Sequence, residues 1–303
     1  MLYLTEDDVR RLLPMPEAIR LMRETFLALA GGKAQNQPRR RLILPTGAVL
    51  HSLAGAAGAY FGVKVYSTHP RHGAHFHFLL YDAATAKPLA LMEANLLGQI
   101  RTGAASGLAT DLMARGGAAA IAVVGTGFQA RSQLEAVLAV RRARSVRVWS
   151  RDAEKRRRFA EETGGEASPS AQAAVQGADI VITATNAKDP VVEDTWIAPG
   201  THINAMGSNQ ARRRELPGEL VRRADLIAAD SIEQSRTEAG DLLLAFYATW
   251  PAKVVELSDV VAGRTGRRSP EQITIFKSLG LGVEDVAAGA FVYERAETGQ
   301  RQT

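Results

Sequence analysis

The chain has 303 residues, enough for two domains with separate cores, and its 46% hydrophobic and 23% charged content is that of an ordinary soluble protein. With no cysteine it has no disulfide framework, no thiolate nucleophile and no zinc–sulfur site. The net charge of +5 raises nucleic acid as a partner, but the arginine clusters Arg39–Arg41, Arg156–Arg158 and Arg212–Arg214 are scattered, with acids between them and no aromatic ladder or nucleic-acid motif, so none is expected.

Taken in chain order, the acidic opening Met1-Leu-Tyr-Leu-Thr-Glu-Asp-Asp resembles neither a secretion signal nor an arginine-rich transit peptide. No apolar run reaches the roughly 18 residues that span a bilayer, so no membrane partner is expected and the cytoplasm is the expected compartment. Thr5 with Asp8 forms a capping-box pattern, and Val9, Leu12 and Leu13 follow on one helical face. A second helix is predicted from Pro16 to Ala30, ended by Gly31-Gly32. Short strands are predicted over Arg41 to Leu44, Val49 to Leu53, Tyr60 to Tyr66, His75 to Tyr81 and Lys87 to Glu93, then an alanine-rich helix over Gly98 to Ala114. Gly116-Gly117 reads as a hinge.

From Ala118 strands and helices alternate regularly. Strands are predicted at Ala120–Val124, Val146–Trp149, Ile180–Ala184, His202–Met206 and Leu226–Ala229, and helices at Phe128–Val140, Ala153–Glu162 and Ser170–Gln176. The fold class expected is α/β: a Rossmann-type doubly wound domain over 116–282 and an α+β domain over 1–115. The tail from Val283 to Thr303 has helical composition, and its pattern alone leaves its domain open.

The apolar run before Gly125 reads as a buried parallel strand, and Gly125-Thr126-Gly127-Phe128-Gln129-Ala130 is a G-x-G-x-x-A turn leading into a helix. In that context Gly125 makes the tight turn, Gly127 lets a pyrophosphate approach the backbone, and Ala130 lets helix pack on strand. The helix N-terminus offers N–H groups and a positive dipole end to phosphate. The next strand ends Trp149-Ser150-Arg151, about 25 residues beyond the first glycine, where an acid would select NAD and small polar or arginine side chains accommodate a 2′-phosphate. Asp152 is more naturally a helix N-cap, so NADP(H) is favoured over NAD(H).

Further landmarks are Leu4-Thr-Glu-Asp-Asp-Val, Gln99-Ile-Arg-Thr-Gly-Ala-Ala-Ser106, Ile203-Asn-Ala-Met-Gly-Ser-Asn209 with Glu215-Leu216, Ser231 to Asp241 and Thr274-Ile-Phe-Lys-Ser-Leu-Gly280. Together with the fingerprint, in this order, they resemble the ornithine cyclodeaminase/μ-crystallin family. The resemblance implies a homodimer whose amino-terminal domain, rejoined by residues 283–303, binds substrate and forms the dimer. It implies hydride transfer at the Cα–N bond of a small amino or imino acid, with Arg41, Lys64 and Arg101 as substrate anchors. Lys64 is also expected to act as proton donor, because a buried lysine's pKa falls readily. It further places Thr185, Asn186, Ser231 and Gly280 beside the cofactor. The neighbours Arg39 and Arg40 leave the Arg41 register open by a residue or two.

Against the family's ornithine-cyclising members, the position of a catalytic aspartate holds Asn209, and an amide cannot serve as general base. An expected amino-terminal glutamate is also missing, with His51 or Ser52 near its place. An amino-acid dehydrogenase or imine reductase is therefore the first expectation. An ornithine or lysine cyclodeaminase with internally recycled cofactor, and a non-catalytic NADPH-dependent ligand-binding protein, are the alternatives. The run His69, His72, His75, His77 lacks nearby carboxylates or cysteines, so no metal is expected and ordinary strand or loop surface is the leading reading.

Overall fold

The computed structural model describes residues 1–300. Its elements begin with β1 (Leu2–Leu4), α1 (Glu6–Leu12), α2 (Met15–Ala30), β2 (Ala34–Ile43), β3 (Val49–Ala57), β4 (Tyr60–His69), β5 (Gly73–Asp82), β6 (Pro88–Glu93) and α3 (Asn95–Met113). They continue with β7 (Ala120–Val124), α4 (Phe128–Val140), β8 (Ser145–Trp149), α5 (Ala153–Thr163), β9 (Glu166–Ala167), α6 (Ala171–Val175), β10 (Ile180–Thr183) and β11 (His202–Ala205). The last are α7 (Gly218–Arg223), β12 (Leu226–Ala229), α8 (Ile232–Glu238), α9 (Gly240–Phe246), β13 (Val254–Glu256), α10 (Leu257–Val261), β14 (Thr274–Lys277) and α11 (Gly282–Gln300). No helix among the described residues is long and apolar enough to cross a membrane.

The chain forms two compact units, Met1–Ala104 with the chain from Gly280 onward, and Ala105–Leu279. The change of unit falls between Ala104 and Ala105, inside α3, rather than at Gly116-Gly117.

In the first unit a six-stranded sheet runs β1-β6-β5-β4-β3-β2, antiparallel except for the β1–β6 pair. The period-two alternation turns Leu53, Phe78, Leu80 and Met92 to one buried face, and β4 turns Lys64 to that same face. Helix α11 packs on the sheet, drawn close by Gly55, where a Cβ would lie 2.4 Å from the Val283 nitrogen. As far as Gln300 the tail is therefore helical, and it packs in the first unit. Strand β2 starts seven residues earlier than the pattern suggested, at Ala34, and carries Pro38 at a register shift between Gln37 and Arg40. It is an edge strand, where a proline without an N–H is tolerated. The capping box at Thr5 is present, with Thr5 and Asp8 each bonding the other's backbone.

The second unit holds an eight-stranded, all-parallel sheet in the order β13-β12-β14-β11-β10-β7-β8-β9. Alternate residues of β7 enter different cores: Ile121 and Val123 pack with Leu134, Val137 and Phe159, whereas Ala122 and Val124 pack with Ile203, Leu220 and Leu242. A sheet buried on both faces by helices is the doubly wound arrangement expected. Strand order reverses between β7 and its neighbours β8 and β10, which is where such folds open a crevice at the strands' carboxyl ends.

Candidate functional site

A cleft of about 1300 Å³ opens at that reversal point, with residues following β7, β8, β10 and β11 in its wall. Gly125 to Gln129, Ser150, Arg151, Thr185 and Asn186 all line it, and Ala130 lies fully buried beneath, packed in the core with Leu134. Ser231 and Gly280 do not line it. Ser231 instead caps α8 by accepting from the Gln234 N–H.

The turn's glycines meet their separate demands. Gly125 has φ +111°, and a Cβ there would sit 2.3 Å from the Ala184 carbonyl oxygen, so both conformation and space exclude a side chain. Above Gly127 a Cβ would meet nothing within 4 Å, which leaves its backbone open to a ligand. No side chain among the described residues caps α4, so its first-turn N–H groups and positive dipole end suit a phosphate. These features fit a dinucleotide pyrophosphate. Gly125→Ala is expected to lower stability by about 2–4 kcal/mol, from left-handed strain and overpacking together, read as a fall in Tm by circular dichroism; an unchanged Tm would remove this account of the turn.

Beyond β8, Thr126 Oγ1 donates to Ser150 Oγ at 3.1 Å, and Ser150 Oγ donates to the Asp152 carbonyl at 3.0 Å. Asp152 caps α5, accepting from the Glu154 and Lys155 N–H groups, which hold its carboxyl below the usual range. Arg151 and Lys155 are exposed at the same rim.

A second constellation lies within the first unit. Lys64 is 3% exposed on β4, and Arg101, on α3, is equally buried. Lys64 Nζ lies 2.8 Å from each carboxylate oxygen of Asp285. Arg101 Nε donates to Asp285 Oδ1 at 2.8 Å and its Nη1 to Glu284 Oε2 at 2.8 Å. Burial, then the Arg101 charge, lowers the Lys64 pKa to about 8, against the opposing pull of Asp285.

On the same side of the sheet, Arg41 stands opposite His51, which stacks on Tyr66 with ring centres 4.2 Å apart. The register shift in β2 buries Arg39 as well, its Nη2 donating to the Gly280 carbonyl at 3.3 Å. Burial and the charges of Arg41 and Arg39 lower the His51 pKa to about 4, so it is neutral at ordinary pH and no substitute for a glutamate. His75 and His77 are exposed on β5, while the alternate Phe78 is buried. Among the described residues no group of three or more potential metal ligands gathers.

Asn209 belongs to the second unit, in the loop after β11. Sequence reasoning quoted Glu215 only as a landmark, yet its buried carboxylate organises this loop. It accepts from Thr183 Oγ1, from the N–H and Oγ1 of Thr185 and from the Gly207 N–H, all within 2.7–2.9 Å. Burial and nearby Asp241 raise its pKa despite those donors. Lys277, fully buried at the end of β14, donates to the Ser208 carbonyl at 2.7 Å and pairs with Asp241 at 2.8 Å. The cleft wall formed by Thr185 and Gly207 is thus pinned from behind. Asp285 and Glu284 were missed too, since only helical composition was read in that segment.

A family model described as the ornithine cyclodeaminase/mu-crystallin family matches residues 1–300. The chain belongs to this family. It is 35% identical over 324 residues to a Delta(1)-pyrroline-2-carboxylate reductase of Bacillus cereus, covering 98% of this chain and 97% of the relative. The structure of Thermococcus litoralis Delta(1)-pyrroline-2-carboxylate reductase in complex with NADH and L-proline aligns with a TM-score of 0.94 at 34% identity, over 99% of this chain and 98% of that one. An archaeal alanine dehydrogenase dimer with bound NAD aligns with a TM-score of 0.93 at 32% identity, over 99% and 97%. Membership of the ornithine cyclodeaminase/mu-crystallin family thus extends over fold and length together.

Proposed function

We propose that this protein reduces the C=N bond of a small carboxylated imine, cyclic imino acids first among them, with NADPH as the preferred reductant. The chain is an NAD(P)-dependent oxidoreductase of amino or imino acids in the ornithine cyclodeaminase/mu-crystallin family. The observation that carries the substrate reading is the buried Lys64–Arg101 pair, one cation on the apolar face of the sheet and the other on α3, sharing the Asp285 carboxylate. Ions are seldom buried without a task, because desolvation costs several kcal/mol per ion.

When bound, the reduced nicotinamide supplies the hydride. Gly125 to Gln129 and the α4 N-terminus would hold its pyrophosphate, with Ala130 packed beneath them, Thr185 and Asn186 would border it, and Ser150 with Arg151 would receive the 2′-phosphate. Arg41 and Arg101 grip the substrate carboxylate, fixing Cα in one orientation. Lys64 Nζ delivers a proton to the imine nitrogen, and a pKa near 8 suits both holding and releasing it. Asn209 neither takes up nor gives a proton at neutral pH, so it supplies no general base. The protein acts as a homodimer, the state of the archaeal alanine dehydrogenase relative. Its first unit carries substrate binding and dimerisation, and its second unit carries the cofactor.

A screen of cyclic imino acids, pyruvate with amines, alanine, ornithine and lysine against NADPH and NADH in both directions tests this. Stoichiometric consumption of NADPH with a cyclic imino acid is the expected result. Ammonia release from ornithine without net cofactor change would instead establish a cyclodeaminase, and NADPH binding with no turnover a ligand-binding protein. Arg151→Asp is expected to weaken NADPH by roughly 10–100-fold while leaving NADH within about threefold, as loss of a charge-assisted phosphate contact requires. Unchanged NADPH affinity in a fluorescence titration would overturn the preference for NADP.

A further inference from the structure

Three elements of the first unit meet at Asp285. It lies in the first turn of α11, Lys64 on β4 and Arg101 on α3, and both of its oxygens are engaged by both cations: 2.8 Å to Lys64 Nζ from each, 2.8 Å from Arg101 Nε to Oδ1 and 3.4 Å from Arg101 Nη2 to Oδ2. Its side chain has no solvent exposure, and those of Lys64 and Arg101 are 4% exposed. We propose that Asp285 is a positioning residue of the reaction: its carboxylate sets the spacing of the Lys64 ammonium and the Arg101 guanidinium and keeps the Lys64 proton in place until the substrate arrives. This rests on the proposed imine reduction and adds to it a residue outside the anchoring set.

The chemistry favours this over a mere staple for α11. A sheet face lined by Leu53, Phe78 and Leu80 would be held to a helix more cheaply by apolar side chains. An aspartate satisfying two cations at once is instead what two nearby positive groups need, since each disfavours the other's charge. The groups facing Lys64 within this unit are Asp285 of α11, Arg101 of α3 and Arg39 of β2. Arg101 and Arg39 push its proton off, and Asp285 draws it back. Glu284 stays on the far side of Arg101, accepting from Nη1 at 2.8 Å and from the Leu281 N–H at 3.1 Å. Removal of the Asp285 charge therefore lowers the Lys64 pKa further, and reduction, which needs the protonated form, fails at a lower pH.

The test is the pH dependence of kcat/KM for Delta(1)-pyrroline-2-carboxylate with NADPH in the full-length wild type, Asp285→Asn and Asp285→Glu. Wild-type activity is expected to fall on the alkaline side with an apparent pKa of about 8. In Asp285→Asn that limb is expected to move down by about one unit, as loss of a buried opposite charge predicts, and KM for the imino acid to rise about tenfold, because the two cations lose the group that spaces them. Asp285→Glu retains the charge but displaces it, so its limb stays near the wild-type position while kcat falls. NADPH binding followed by fluorescence is expected to stay within about twofold in both variants, because the cofactor residues belong to the other unit. Superimposable limbs in Asp285→Asn and wild type, or parallel loss of NADPH binding and activity in both variants, would leave Asp285 a structural staple and sink the proposal. A wild type that reduces no imine in the screen would remove the proposed function itself, a result distinct from an active wild type whose limb does not move.

Discussion

Lys64→Met is expected to lower kcat for imine reduction by about 10²- to 10⁴-fold, the usual contribution of a positioned proton donor, while leaving NADPH affinity intact. The variant also deletes one of the two cations bound to Asp285, so the cluster of Arg101 with Glu284 and Asp285 becomes a net acid. The cluster thus goes from neutral to net negative, a carboxylated substrate is repelled, and KM rises together with the loss of kcat. The sign of the pH effect follows from the lowered pKa of about 8. Below it Lys64 is charged and competent, above it the proton is lost, and reduction declines. In the methionine variant the residual rate has no such alkaline limb. Stopped-flow hydride-transfer rates across pH check this directly. A variant that kept the limb at the wild-type position would show that another group titrates there and that Lys64 does not supply the proton.

The parts of the molecule legible in the sequence are those encoded over a few consecutive residues. The capping box at Thr5, the cap at Asp152, helix α4 and the strand–turn–helix around Gly125 each follow from local propensity, turn chemistry and hydrophobic period, and each stands where it was expected. Of the short strands buried on both faces, β7, β10, β11 and β12 are legible and β14 is not. Strand β14, Thr274-Ile-Phe-Lys, has no alternation to betray it, because helices cover the sheet on both sides and its pairing partners β11 and β12 are remote in the chain. The register of β2 was hidden by the shift between Gln37 and Arg40, which buries Arg39 as well as turning Arg41 toward His51.

The acids of the site were the least legible. Asp285 and Glu284 read as ordinary first-turn residues of a helix, where carboxylates are favoured by the dipole in any case. Their partners Lys64 and Arg101 stand some two hundred residues away, and no period in the sequence relates them. What the chain does announce is the cost: a lysine in the apolar strand Gly62-Val-Lys-Val requires a buried partner. The same holds for Glu215, whose four donors come from β10, the residues after it and the β11 loop.

Arg101→Lys separates substrate anchoring from internal ion pairing. Lysine keeps the positive charge against Asp285 and Glu284 but replaces a planar fork by a single point donor. Of the guanidinium's contacts, Nε to Asp285 and Nη1 to Glu284 are directional, and one ammonium cannot reproduce both together with a bidentate hold on a carboxylate. The expected result is a rise in KM for the imino acid and a fall in kcat, about 10³-fold together in kcat/KM, since a Cα held loosely forfeits several kcal/mol of orientation. Thermal stability is expected to fall by about 1–3 kcal/mol, because one buried carboxylate loses its directional donor. Arg101→Met removes the charge as well and leaves Glu284 and Asp285 buried beside Lys64 alone, so it is expected to cost about 3–5 kcal/mol of stability in addition. If Arg101→Lys matched the wild type in KM for the imino acid, the arginine would serve the ion cluster only, and the carboxylate would have to be held by Arg41 with its buried neighbour Arg39. If the lysine variant lost substrate affinity far out of proportion to its fall in Tm, the fork itself recognises the substrate, and the two acids of α11 are there to aim it.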